Sequence, residues 1–534
     1  MKTRLLLIIL TLIPILASAQ GEWDMLIKAQ KEQTPYLMYS YNPYFKQNQF
    51  IEATPVCISL PTFSQASTQL PQPYWKGHDD AIKCYWRAWE ITFSNLKNPT
   101  PENNFVSPYI DPAFNKNIFM WDCSFMTLFG RYGSRAFNFQ GTLDNFYRKQ
   151  HPDGFICREI YGLSGKDCFE RHDPSSTGPN IMPWVEWEYF QNFNDTTRLT
   201  KVFDPLMAYC HWFKINRTWK DGSYYLSGWG CGMDNQPRVQ SGYSEQFDNG
   251  HMSWIDATLQ EIMANTMLIK MAKVLGREKE VEDFVQERDD LITFVNEKMW
   301  NTDLRYYVDR FRDGSLSKVQ SIASYWALLA EAVPENRLND FVAHLEDTTK
   351  FNRPHRIPTL AADCPQYDPK GGYWCGAVWA PTNYMVLRGL TTTGKYSELA
   401  SKIGRNHHQQ IVDVFNETGT FYENYAPESI KGNYRTEFVG WTGLVPISVL
   451  FEYVFGIQSN VPEDIIEWRV NLTDEFGINN YPFGTNGIVN LQCKARKSIQ
   501  EKPSVKVSSN MDLTVRVIYD GGSYTITVKG KKQQ

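Results

Sequence analysis

The chain has 534 residues, of which 21% are charged, with a net charge of -5. That length accommodates one large core domain and one or two smaller modules. The acidic balance excludes a broad basic surface for nucleic acid. Aromatic residues make up 14%, including 17 Trp and 29 Tyr. Such flat rings with a polar edge suit sugar faces, although they equally fill cores.

The N-terminus reads as an export signal. Lys2 and Arg4 precede an apolar run from Leu5 to Leu16, and Ala17-Ser18-Ala19 offers a small-residue cleavage site. The run is too short to span a bilayer comfortably, and no cysteine follows the cleavage motif. The mature chain is therefore expected to begin near Gln20, in the periplasm or outside the cell, with no membrane anchor. Residues 20–77 are rich in Pro, Gln, Thr and Tyr and read as an extended segment packed on the main domain.

From 78 to 457, helical periodicity recurs between aromatic and Gly-containing loops. Helices are expected at 80–97, 120–133, 137–150, 182–193, 198–216, 253–275, 278–299, 318–331, 335–347, 376–391, 394–415 and 440–456. Gly276 is placed to end the sixth of these. His407-His408, among polar neighbours, is expected on a solvated face. The body is thus mainly α, and helix pairs of this kind commonly close into a toroid. Beyond 458, alternating segments such as LTVRVIY and YTITVK, separated by Asn-Gly and Gly-Gly turns, read as a small antiparallel β-domain over 458–534. The ten cysteines permit disulfides but contain no C-x-x-C pair, so no zinc site is supported and no metal or other cofactor is implied.

The candidate chemistry lies in the loops. DGSYYLSGWGCGMDNQPR (221–238) surrounds Asp234 with glycines, turn formers and neighbouring aromatics. Glycines let the backbone approach a ligand, and apolar neighbours raise a carboxyl pKa, as a general acid requires. The same Asp could equally close a turn with Asn235. FYENYAPE places Glu423 between aromatics, where an ionised carboxylate could activate a water, with Glu428 and Glu437 as competitors. NIFMWDCSFMTLFGRYG opens a helix with Trp121-Asp122, and HPDGFICRE supplies Asp153, Arg158 and Glu159. GGYWCGAVWAPTNYMVLRGL sets Trp374 and Trp379 ahead of a helix, suited to stacking on a pyranose or to the core. Nucleophile elbow, P-loop, dinucleotide and H-E-x-x-H patterns are absent.

These segments, in this order over roughly 78–457, resemble the catalytic domain of the trehalase-like and glycoside hydrolase family 63 group, which includes the mannosylglycerate hydrolases. The resemblance implies an (α/α)6 barrel and an inverting, exo-acting hydrolase of an α-linked hexoside. It also implies Asp234 as general acid and Glu423 as general base. Sugar contacts are implied for Trp121, Asp122, Arg158, Glu159, Asn235, Trp374 and Trp379, with a supporting role for Trp441. Two departures stand out: Cys157 replaces a proline before Arg158, and KGNYRTE replaces a short Gly-rich stretch, which leaves Glu437 as an alternative base. Two alternatives stay open on the residues alone: an inactive carbohydrate-binding relative, and a polysaccharide lyase on a helical toroid.

Overall fold

The structure, a computed structural model, describes residues 42–530. The expected export signal and cleavage site lie outside the described residues. Helices dominate up to residue 454: α1 (Asp79–Ser94), α2 (Met120–Gly130), α3 (Gly141–Arg148), α4 (Met182–Phe193), α5 (Thr196–Asn216), α6 (Gly228–Cys231), α7 (Ile255–Leu275), α8 (Glu282–Lys298), α9 (Trp326–Leu329), α10 (Glu335–Ala343), α11 (Ala380–Thr392) and α12 (Ser397–Thr418). The segment Val445–Val454 winds in wide π-type turns.

Helices buried on every side alternate with amphipathic ones. Every residue of α2 is buried, as is α7 from Ile255 to Leu268, whereas α8 buries only Phe284, Leu291 and Val295. The α9–α10 and α11–α12 pairs repeat the contrast. A helix apolar all round belongs inside other helices, and one with a single apolar stripe covers them from outside. The interior is not purely apolar. The Arg131 guanidinium donates to Glu188 at 3.1 Å and to Glu452 at 2.7 Å, the Tyr384 hydroxyl donates to Glu452, and Arg388 donates to Glu188 at 2.6 Å. This buried network ties α4 and α11 to the π-turn segment, each charge meeting an opposite one as burial demands.

Gly276 ends α7 as expected, at φ +67°. The helix expected over 318–331 is instead a 3-10 turn (Ile322–Tyr325) followed by the single turn α9, because Ser321 is drawn into a β-bridge with Leu360. His407 and His408 do not face solvent. Both are buried in α12, which packs against α1, α11 and the π-turn segment, and burial pushes them down to about 3 and about 4, so both are neutral. The polar residues around them had suggested an exposed face.

Short two-stranded pairs lie between the helices, and the longer strands are concentrated after residue 456. The strands that bear on the site and the C-terminal sheets are β1 (Gln72–Trp75), β2 (Ile118–Phe119), β3 (Glu159–Ile160), β4 (Tyr422–Tyr425), β5 (Gly432–Thr436), β6 (Ile457–Asn460), β7 (Ile465–Arg469), β8 (Phe476–Phe483), β9 (Gly487–Cys493), β10 (Val505–Ser509), β11 (Leu513–Tyr519) and β12 (Gly522–Val528). The C-terminal ones form two four-stranded sheets, β1-β8-β9-β10 and β6-β7-β11-β12. Pairing is antiparallel except between β7 and β11, which run parallel. β1 pairs from Gln72↔Asn479 to Trp75↔Phe476, so the segment before residue 78 supplies an edge of the C-terminal sheet. All ten cysteines are free.

Candidate active site

The loop that carries Asp234 is fixed by the residues on either side of it. Ser227 caps α6, its hydroxyl accepting from the Gly230 N–H at 3.0 Å. Gly232 then turns the chain at φ +77°, and a Cβ there would lie 3.3 Å from the Trp121 indole, so glycine lets the loop close on that ring. Beyond Asp234, Gln236 donates to the carbonyls of Thr359 and Trp374 at 2.9 and 3.1 Å. Arg238, wholly buried, makes bidentate contacts at 2.7–2.8 Å with both Asp256 and Asp309 and lies over the Trp254 ring. With its neighbours so anchored, the Asp234 carboxyl faces the pocket. Burial lifts it to about 6, against the opposing charge of Arg158.

Glu423 sits on β4 of the β4–β5 hairpin. Tyr422 pairs with Thr436 and Asn424 with Asn433, so Tyr434 and Arg435 together oppose Glu423: a β-bulge of one extra residue on β5. The Tyr373 hydroxyl donates to Glu423 Oε1 at 3.1 Å, and the Trp441 indole N–H donates to the Glu423 carbonyl at 3.0 Å. Burial pushes the carboxyl up to about 7, the Tyr373 bond and Arg435 acting against the rise. Asp122, in the first turn of α2, is buried too. Its Oδ1 has no partner among the described residues, and burial raises it well above the usual carboxylate range. The β2–β3 pair, Phe119↔Glu159, brings Arg158 beside it.

Asp122, Asp234 and Glu423 line one cavity of about 780 Å³, walled by Trp121, Arg158, Asn235, Trp374 and Trp441. Two other expected contacts, Trp379 and Glu159, lie elsewhere. Trp379 is fully buried behind Trp374, the two rings stacked at 3.7 Å and 5°, so it backs the wall rather than forming it. Glu159 accepts from Asn117 at 2.8 Å and does not line the cavity. Asn235 does line it, but its amide donates to the Gly372 carbonyl and accepts from the Trp374 N–H, which spends it on holding the Trp374 loop. Both competitors for the base are placed outside. Glu437 points to solvent, paired with Arg87 at 3.5 Å, and Glu428 is held by Arg353 and Tyr367. Asp153 is likewise a structural carboxylate, held by Arg171 and Trp212.

Other lining residues escaped the sequence reading: Tyr373, Tyr434, Arg435, Phe114, Trp229 and Gln246. Tyr373 in GGYWCG, Trp229 in SGWGCG and Tyr434-Arg435 in KGNYRTE lie inside stretches the sequence had marked, whereas Phe114 and Gln246 carried no local signal. Among the described residues, no group of three or more His, Cys, Asp or Glu is arranged to hold a metal. No helix of the described residues is long and apolar enough to cross a membrane.

Residues 116–442 match the mannosylglycerate hydrolase MGH1-like glycoside hydrolase domain. The chain is 21% identical over 393 residues to an uncharacterized protein of Borreliella burgdorferi, covering 70% of this chain and 80% of that one. It is 24% identical over 234 residues to the mannosyl-oligosaccharide glucosidase of Saccharomyces cerevisiae, covering 40% of this chain and 27% of the yeast protein. It therefore spans only about a quarter of that enzyme's length. Among solved structures, the fold resembles a family 63 mannosylglycerate hydrolase from Thermus thermophilus in complex with glucose, with a TM-score of 0.56 at 19% identity over 68% of this chain and 98% of that one. A family 78 rhamnosidase of a Bacillus species gives 0.61 at 13% identity, over 87% and 44%. The chain belongs to the mannosylglycerate hydrolase MGH1-like glycoside hydrolase family. It is a glycoside hydrolase by family, which sets aside the lyase alternative.

Proposed function

We propose that this protein is an exported, inverting, exo-acting hydrolase that releases an α-linked glucosyl or mannosyl unit, with Asp234 as general acid and Glu423 as general base. The observation that carries this reading is the meeting of Asp234 and Glu423 in one aromatic-walled cavity that raises both carboxyl pKa values toward neutrality. The alternation of enclosed and amphipathic helix pairs supports an (α/α)6 toroid as the scaffold. Both sugar types come from the names of similar proteins, a glucosidase and mannosylglycerate hydrolases.

In this reaction protonated Asp234 gives its proton to the glycosidic oxygen while Glu423 takes one from the attacking water on the other face. Asp122 and the free indole N–H of Trp121 hold sugar hydroxyls, which fits their having no other partner among the described residues. Asp234 at about 6 and Glu423 at about 7 titrate close together, so the proton that one must hold and the other must lack belongs to the pair. Substrate decides its place. A glycosidic oxygen beside Asp234 is an acceptor and favours the protonated acid, whereas a water donating to Glu423 favours the ionised base.

Incubation of the purified protein with α-glucosides, α-mannosides and α-galactosides, followed by NMR, tests the proposal. The first product from one of the first two classes is expected as the β-anomer. An initial α-anomer overturns inversion, and cleavage confined to internal bonds of a longer chain overturns exo action.

A further inference from the structure

The β5 bulge opposite the base holds a feature that the hydrolysis step does not use. Tyr434, the first bulge residue, is 60% exposed, an unusual position for a tyrosine lining a cavity. Its backbone lies at φ +64°, in the left-handed region that a side chain with a Cβ disfavours. The ring is held edge-on against Tyr373 at 4.8 Å and 61°, and Tyr373 in turn binds Glu423. Its bulge neighbour Arg435 lies over the Phe114 ring at 4.7 Å and donates to the Phe114 carbonyl at 3.1 Å, which steadies the hairpin across the mouth. Asp122, Trp121 and Trp374 are buried deep in the same cavity, whereas Tyr434 stands at its opening.

In an exo-acting site the released sugar occupies the closed end and the leaving group points to the mouth. From this we infer that Tyr434 is the platform for the leaving group, which the geometry identifies as a second sugar ring stacked on its exposed face. The inference rests on the hydrolase reading and adds a specificity-determining residue to it. A bulge suits the task because it re-aims two consecutive side chains toward one face, and a phenol ring offers flat area at little entropic cost. An ordinary β5 register would turn one of the two away from the cavity.

The test compares kcat/KM for α-linked glucose and mannose disaccharides with kcat/KM for the α-fluoride of the same sugar, whose leaving group is a single atom. Tyr434→Gly deletes the ring at a backbone position that glycine adopts freely, so the hairpin keeps its shape. The disaccharide-to-fluoride ratio is expected to fall about tenfold in Tyr434→Gly, the scale of one lost aromatic anchor, and to stay within about twofold of wild type in Tyr434→Phe. An unchanged ratio in Tyr434→Gly overturns the inference, as does an equal loss in Tyr434→Phe, which would assign the effect to the hydroxyl. A wild-type enzyme that takes the fluoride but no disaccharide also overturns it. Wild type that cleaves neither rejects the hydrolase reading itself, a result separable from the others.

Discussion

Tyr373 donates its hydroxyl to Oε1 of Glu423 at 3.1 Å, and it does so from a backbone turned to φ +62° in the loop before α11. A donor to a carboxylate stabilises the ionised form, which is the form the base must hold. Tyr373→Phe should therefore raise the Glu423 pKa further above about 7 and leave less of the productive arrangement, in which Asp234 carries the proton. The peak of kcat/KM is expected to fall about tenfold, with the alkaline limb moved to higher pH. A pH–rate profile of this variant with the wild-type limbs would remove Tyr373 from control of the base.

Asp234→Asn and Glu423→Gln should each lower turnover by roughly 10²–10⁴-fold, the range for losing one proton-transfer group, while the protein stays folded. Steady-state kinetics with circular dichroism checks both halves of the statement. Either variant working at near wild-type rate would exclude that residue from the mechanism.

The wild-type profile itself is expected to be narrow. Below about pH 6 both carboxyls are protonated and the base is lost; above about pH 7 both are ionised and the acid is lost. Because the two share one cavity, the limbs belong to the pair rather than to either residue. A kcat/KM that stays flat from pH 5 to 8 contradicts this.

The same shifts bear on stability. A carboxyl raised in the folded state adds stability below its unfolded pKa and loses it as pH rises through the folded value. Asp234 thus favours folding at about pH 4 and loses that contribution by the time pH passes about 6. Asp234→Asn removes the loss, so its melting temperature should exceed that of wild type at pH 8 by more than at pH 4.5. Thermal scans at the two pH values decide; a constant or inverted difference would show that Asp234 is not held in a disfavoured charged state.

Arg238 makes the strongest structural prediction. Arg238→Met leaves Asp256 and Asp309 facing each other in a dry interior without their cation. Removing one partner of a buried ion pair costs about 3–5 kcal/mol. Urea unfolding should show a loss of that order, and one under about 1 kcal/mol would mean that the two carboxylates readily find other partners.

The sequence by itself determined most of the helices and the C-terminal strands, because periodicity, caps and turn residues are local. Gly276 ended α7 where its backbone freedom said it should. Sequence also offered Asp234, Glu423 and the Trp121-Asp122 pair as candidates, each locally matched by a plain turn or helix-start reading; the order of several segments resembling family 63 chose them. Only the tertiary structure decided which neighbours share the cavity. Trp374 lines it while Trp379 stands behind, although both precede the same helix, because their stacking order depends on the packing of the loop. Glu437 and Glu423 lie in one hairpin region, yet the pairing turns one to solvent and the other inward. The bulge that gathers Tyr434 and Arg435 beside Glu423 is a register between two strands. No single strand's sequence records such a register, since it exists only once both strands are paired.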